Sequence, residues 1–313
     1  MTTLDSPTLT TDEVFEELRK RLSPTSLLRR DEPMAKRTTL RVGGPAEVYV
    51  EPASEEDLCG IIEFCNSHDV PRMLLGRGSN LLVRDGGIRG VVICLSHPFS
   101  SRIELIDGKL RCGAGARLKN VAIEARRNEI AGLEFLEGIP GTVGGALRMN
   151  AGAMGREMFT VTESIRYMDP RGIVVDAPAS LVHHEYRSCR FLKTHIALAA
   201  TLRGTQGKRV EIEKLMNECS QKRWRSQPAA PSAGCIFKNP ETVPAGRLVQ
   251  ELGLKGTRVG GAVVSEVHGN FLVNDGNATA KDMLQLIEFV QERALRERGI
   301  ELRTEVEIVG VDE

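Results

Sequence analysis

The 313 residues balance 42 Lys plus Arg against 42 Asp plus Glu, so the chain is neutral and lacks the basic footprint of a nucleic-acid binder. A small-molecule partner is expected. The seven cysteines are odd in number and form no CxxC pair, so they read as reduced thiols without metal-ligand company, and no apolar run approaches ~18 residues. The acidic N-terminal stretch has no apolar core segment, so neither a signal peptide nor a membrane span is expected, and the cytoplasm is the expected compartment.

Residues 1–10 are Thr-rich and expected to be loose. Val14, Leu18 and Leu22 then recur at helical spacing, which predicts a short amphipathic helix over 12–22. Residues 46–50 alternate as a strand. Ser54-Glu55-Glu56-Asp57 has the form of a capping box, opening a helix with Leu58, Ile61, Ile62 and Cys65 on one face. Strands over 72–75 and 90–95 complete a βαβ unit, which the crossover rule makes parallel and right-handed. Between these two strands, Gly76-Arg77-Gly78-Ser79-Asn80 can turn successive backbone N–H groups into an anion nest, with the Ser79 hydroxyl and Asn80 amide as added donors. The turn carries neither a GxGxxG nor a P-loop fingerprint.

Asp107-Gly108, set between apolar alternations over 102–115, is a strong hairpin signal, and a second hairpin is expected at Asp169-Pro170-Arg171-Gly172. After a helix over 118–127 comes the stretch 132–155, GLEFLEGIPGTVGGALRMNAGAMG, with glycine at 132, 138, 141, 144, 145, 152 and 155. Glycine admits close approach of backbone, and Pro140 has its φ preset for a first helical turn. Residues 138–142 therefore read as a loop turning into a helix start, whose unpaired N–H groups suit phosphate or a polar ring edge. A flat, phosphate-bearing cofactor fits; a tight turn that serves packing alone is the alternative. A strand over 195–202 and a charged helix over 210–225 follow. The break in composition near 204–207 marks a domain boundary. Beyond it lie Gly234-Cys235-Ile236-Phe237-Lys238-Asn239-Pro240, a helix over 246–252, apolar alternation through Val264 to Val273, a helix over 278–298 and a strand over 301–311. The chain as a whole reads as α+β.

Several of these segments occur together, and in order, in one enzyme family. Thr39-Leu40-Arg41-Val42-Gly43-Gly44-Pro45-Ala46, Leu75 with the 76–80 turn, Gly138 through Gly145, Asn150-Ala151-Gly152, Tyr186-Arg187, the 234–240 segment, Gly260-Gly261-Ala262 and Leu302-Arg303-Thr304-Glu305-Val306 all match. On these motifs the sequence resembles the flavoprotein UDP-N-acetylenolpyruvoylglucosamine reductases of bacterial peptidoglycan synthesis, in their shorter form without an inserted lid.

The resemblance implies a two-part FAD-binding module of the vanillyl-alcohol-oxidase type plus a C-terminal α+β substrate domain. The implied division is an N-terminal extension over 1–30, a first FAD subdomain over 31–97 joined by the terminal strand 300–313, a second over 98–205, and a substrate domain over 206–299. It further implies noncovalent FAD, with NADPH as reductant and a nucleotide sugar as the substrate reduced to UDP-N-acetylmuramate; a monomer is expected. Residues implied at FAD are Gly76, Arg77, Gly78, Ser79, Asn80, Gly138, Ile139, Pro140, Gly141, Thr142, Gly145, Asn150, Ala151 and Gly152. Tyr186, Lys238 and Asn239 are implied at substrate.

The catalytic residues implied are Arg187 and Glu305, which would polarise the substrate carboxylate, and Cys235, which would deliver a proton. The family position of Cys235 is commonly serine. A thiol of ordinary pKa, about 8.5, is mostly protonated at neutral pH and can donate. The continuation Ser188-Cys189 replaces the more usual Asp-Ser after Tyr-Arg, which leaves open what supports Arg187. His183 and His184 are assigned no role, because adjacent residues on a strand point to opposite faces. Two other readings remain: a flavin oxidase of the same superfamily, and a catalytically inactive flavin-binding regulatory protein.

Overall fold

The computed structural model describes residues 9–312, so most of the stretch expected to be loose, 1–8, lies outside the described residues. Thr10 already caps the first helix, Thr11–Arg21, in a complete capping box with Glu13, and Val14 and Leu18 are its buried face. The contacts divide the chain into two units. One holds the chain up to Asp31, Glu47–Gly76 and Arg89–Ser220; the other holds Glu32–Ala46, Arg77–Ile88 and the chain from Gln221 onward.

The first unit contains two larger sheets. In one, the strands run in the order Leu27–Pro33, Pro45–Glu51, Ile88–Cys94, Arg72–Leu75. Arg72–Leu75 pairs parallel with residues 91–94, as expected, and Ile88–Cys94 sits between it and Pro45–Glu51. The helix Glu55–Ser67 joins these strands and buries Leu58, Ile61, Ile62, Phe64 and Cys65. Its start corrects the sequence reading. The Ser54 hydroxyl accepts from Asp57 N–H, but the Asp57 carboxylate does not close a box; it accepts from Ser23 N–H, the Ser23 and Ser26 hydroxyls and Ala53 N–H. A contact more than thirty residues away outcompetes the local one.

The other sheet of this unit is antiparallel, in the order Val174–Pro178, Thr162–Met168, Ile196–Leu202, Lys109–Gly113, Ile103–Ile106. Both expected hairpins are present. At the first, Asp107 and Gly108 take φ of 48° and 74°, the pair of positive values that a tight two-residue hairpin turn requires. The helix Leu118–Arg127 buries Leu118, Val121, Ala122 and Ala125 in the unit's core.

The second unit is built on an antiparallel sheet ordered Ser232–Cys235, Phe271–Asn274, Ala262–Val264, Arg258–Val259. The helix Ala280–Arg298 lays Met283, Ile287, Val290 and Ala294 into a core shared with Phe237, Leu248 and Leu302. Two expectations change here. The terminal strand is only Glu307–Val309, and it pairs parallel with a strand not foreseen, Leu81–Val83. Residues 301–306 are held instead by single bonds to the 236–238 segment, so their alternation reflects burial of Leu302 and Val306 without a ladder.

Candidate active site

In the first unit the glycine-rich stretch is anchored from below by backbone. Val143 N–H donates to Ala116 O at 2.9 Å, Gly144 N–H to Ala114 O at 2.8 Å, and Leu118 N–H to Gly141 O at 3.1 Å. Any Cβ at Gly144 would lie 3.1 Å from that of Ala114. Pro140 is not in a first helical turn: Glu134–Gly138 is a 3-10 helix, and the α-helix Val143–Arg148 starts after Thr142, whose hydroxyl accepts from Gly145 N–H. Gly76 comes up against this start, since a Cβ there would meet the Thr142 hydroxyl at 3.0 Å. The first residue of one glycine turn and the cap of the other are thus neighbours, although sixty-odd residues apart in sequence.

Asn150, Ala151 and Gly152 continue from the helix and support Arg187. The Asn150 side chain is 1 % exposed and fully engaged, donating to Glu157 Oε2 and Glu185 O and accepting from Phe159 N–H. Its backbone carbonyl and that of Gly152 accept from the Arg187 guanidinium at 3.4 and 2.9 Å. Glu185 and Ser188 exchange backbone hydrogen bonds around Tyr186 and Arg187, and Arg187 takes φ of 55°, a left-handed value unusual for a long side chain. Main-chain carbonyls are thus among the groups that hold Arg187. The guanidinium also lies 4.9 Å from the ring of Tyr186, which is exposed. His184 stacks on Phe159 and is not on a strand, so the opposite-faces argument fails there, and packing accounts for the residue.

The second unit ties the 78–80 turn, the residues on either side of Cys235 and the Glu305 backbone together. Gly78, with φ of 62°, packs on Arg37 O and Thr38, where a side chain would clash at 2.7 to 2.8 Å. The Thr39 hydroxyl donates to Ser232 O, at the start of the strand that ends in Cys235. Gly234 lies against Ser79 O. Asn80 donates its side-chain N–H to Glu305 O at 3.1 Å and accepts Glu307 N–H at 3.0 Å, while Glu305 N–H donates to Ile236 O at 2.7 Å. Cys235, between Gly234 and Ile236, is half-buried. Lys238 and Asn239 are exposed; Lys238 N–H is held by Arg303 O, and the Asn239 side chain caps Ala245 N–H. Sequence reasoning missed Asn270, which grips Phe237, and Glu157, which orients Asn150. Neither carries a local signal, because each acts on residues far from its own motif or outside any motif.

These features fit an FAD. At Gly145 only the Thr142 hydroxyl, at 3.5 Å, lies near the place of a Cβ, and at Gly138 only Cys219 O, at 4.0 Å, so the helix start leaves room for a planar group. In the second unit the buried Thr38 hydroxyl, beside the 78–80 turn, has no hydrogen-bond partner among the described residues and suits an anionic acceptor.

Residues 46–178 match the family described as FAD binding domain, and residues 227–309 match UDP-N-acetylenolpyruvoylglucosamine reductase, C-terminal domain. The chain is 42% identical over 284 residues to the UDP-N-acetylenolpyruvoylglucosamine reductase of Clostridioides difficile, covering 90% of this chain and 93% of that one. It is 44% identical to that of Geotalea uraniireducens over 91% of this chain and 95% of the relative. Among solved structures, the reductase of Thermus caldophilus superposes with a TM-score of 0.79 at 37% identity, covering 91% of this chain and 99% of that one. The chain therefore belongs to the UDP-N-acetylenolpyruvoylglucosamine reductase family, with FAD as its cofactor.

Proposed function

We propose that the chain reduces the enolpyruvyl ether of UDP-N-acetylglucosamine to UDP-N-acetylmuramate for peptidoglycan precursor synthesis, with Arg187, Cys235 and Glu305 as its catalytic residues. When bound and reduced by NADPH, FAD would supply a hydride for the β-carbon of the enolpyruvyl group. Negative charge then moves into the substrate carboxylate, where the planar Arg187 fork stabilises it. Glu305 assists there, placed by the bond from its N–H to Ile236 O. Cys235 gives its S–H proton to the α-carbon: the S–H bond breaks, the C–H bond forms, and the thiolate regains a proton from solvent. The observation that carries this reading is the hydrogen-bond network that ties Ile236, the residue next to Cys235, to Glu305 and Asn80 within one unit.

In this reading 31–97 with 300–313, and 98–205, hold FAD noncovalently, and 206–299 holds the nucleotide sugar through Lys238 and Asn239. Residues 76–80, 138–142, Gly145 and 150–152 line the FAD. A cytoplasmic monomer is the proposed state, and sedimentation at a dimer mass would contradict it. The direct test is anaerobic mixing with NADPH, then with the enolpyruvyl nucleotide, followed by flavin absorbance. Bleaching and then recovery without oxygen is the expected result; a protein that takes up no FAD, or bleaches without recovery, would overturn the reading. Alkylation gives a second test. Burial pushes the Cys65 and Cys112 thiols up to about 11 and about 12, so both stay protonated and inert at neutral pH. Label should collect at half-buried Cys235 and Cys59, and bound substrate should protect Cys235 alone.

A further inference from the structure

We propose that Asn270 is a positioning residue for the proton-delivering half of the reaction, fixing the strand end that carries Cys235 and, through it, the Glu305 segment. The inference rests on the reading of Cys235 given above. Asn270 is 3 % exposed. Its backbone carbonyl accepts Ile236 N–H at 2.9 Å, its side-chain Oδ1 accepts Phe237 N–H at 2.8 Å, and its Nδ2 donates to Phe237 O at 2.8 Å. One residue therefore satisfies three of the four backbone polar groups of the two residues just after Cys235. Phe237 is 1 % exposed, so without the Asn270 side chain its N–H and C=O would be buried and unpaired.

The clamp sits where the ladder needs it. The pairing of Ser232–Cys235 with Phe271–Asn274 shifts register between Ser232 and Cys235, and Cys235 lies opposite Phe271, the residue after Asn270. Regular pairing thus ends at Cys235, and a side chain takes over from the ladder. On the other side, Ile236 O accepts from Glu305 and Val306, Phe237 bridges to Thr304, and Lys238 N–H donates to Arg303 O. The same two residues that Asn270 grips therefore carry the Glu305 segment. These bonds of Asn270 go to the backbone of Ile236 and Phe237, so they act on the reacting groups through placement, where an error of ~1 Å can cost ~10²-fold in rate.

The test uses FAD-loaded Asn270→Leu, similar in size but lacking both side-chain bonds, and Asn270→Asp, which keeps the acceptor for Phe237 N–H and loses the donor. Stopped-flow absorbance reads flavin reduction by NADPH and reoxidation by the enolpyruvyl nucleotide separately. Asn270→Leu should slow reoxidation roughly 10–100-fold, leaving reduction near native, and Asn270→Asp should fall between the two. Equal slowing of both steps, or a lower Tm with neither step changed, would show a purely structural residue and overturn the inference. Should Asn270→Leu fail to fold, the ratio of the two steps in Asn270→Asp decides. Cys235→Ala is measured alongside. Native reoxidation in Cys235→Ala sinks the reading of the thiol; slow reoxidation there with a normal Asn270→Asp sinks only the role of Asn270.

Discussion

The glycine-rich stretch of the first unit and the Cys235 segment of the second take their geometry from different distances along the chain. Around Thr142 most bonds are short in sequence: Gly145 N–H to the Thr142 hydroxyl, Ala146 N–H to Thr142 O, Met149 N–H to Gly145 O and Ala151 N–H to Ala146 O. Around Cys235 they are long. Ile236 and Phe237 are held by Asn270, Ile236 holds Glu305, and Asn80 reaches Glu305 across 225 residues. A locally built cradle can be broken by one misplaced atom near it, whereas a network built from distant partners transmits damage to the reacting groups from far away.

The largest effect expected on this contrast is at Cys235 itself. A general acid supplies typically ~10²–10⁴-fold, so Cys235→Ala should slow flavin reoxidation by that factor and leave reduction by NADPH near native, with Cys235→Ser recovering much of the loss. Native reoxidation would assign the proton to Glu305 or water. Next in size is Gly152→Ala. Its Cβ would lie 2.5 Å from Arg156 O and 2.8 Å from Arg187 Nη1, and the backbone atom cannot swing aside. The Arg187 turn should shift, at a cost of roughly 10²-fold in reoxidation with FAD content retained. If turnover stays native, the carbonyls of Asn150 and Gly152 do not set the working position of Arg187.

The same contrast explains what could be read from sequence. Helices with a clear apolar stripe, such as Ala280–Arg298, and hairpins with their own turn signal, such as that at Asp107-Gly108, were legible because their cause lies within a few residues. Leu81–Val83 was not, since three apolar residues become a strand only when Glu307–Val309 arrives from the far end of the chain. The active-site motifs gave residue identities, but no local pattern specified that Arg187 would rest on main-chain carbonyls or that Asn270 would hold Phe237. The box at Ser54 misled because a distant serine pair bound the carboxylate more completely than its own helix could.

That helix start offers the contrast in miniature, with stability as the readout. Burial alone would push the Asp57 carboxyl up, but hydrogen bonds from Ser23, Ser26 and Ala53 outweigh it and hold the pKa below the usual value. A depressed folded pKa contributes stability that is present above the unfolded pKa, about 3.9, and is lost as pH falls through the folded value. Asp57→Ala should cost about 2–3 kcal/mol at neutral pH, and the gap to the native protein should close in acid below pH ~4. A gap that does not narrow there would mean that the loss is packing.

Ser54 makes the smaller and purely local contribution. Its hydroxyl accepts one N–H, from Asp57 at 3.1 Å, at an N-cap in extended conformation. Replacing such a cap by alanine costs typically ~1 kcal/mol. Because a serine hydroxyl does not titrate, the deficit of Ser54→Ala should stay level between pH 7 and the acid range where that of Asp57→Ala disappears. Ser54→Asp should recover most of it, since aspartate is as good a cap. Denaturant unfolding at several pH values separates the two variants. If the Ser54→Ala deficit also vanished in acid, the hydroxyl would be acting through the Asp57 carboxylate, and this helix start would be one long-range network instead of a local cap beside a distant clamp.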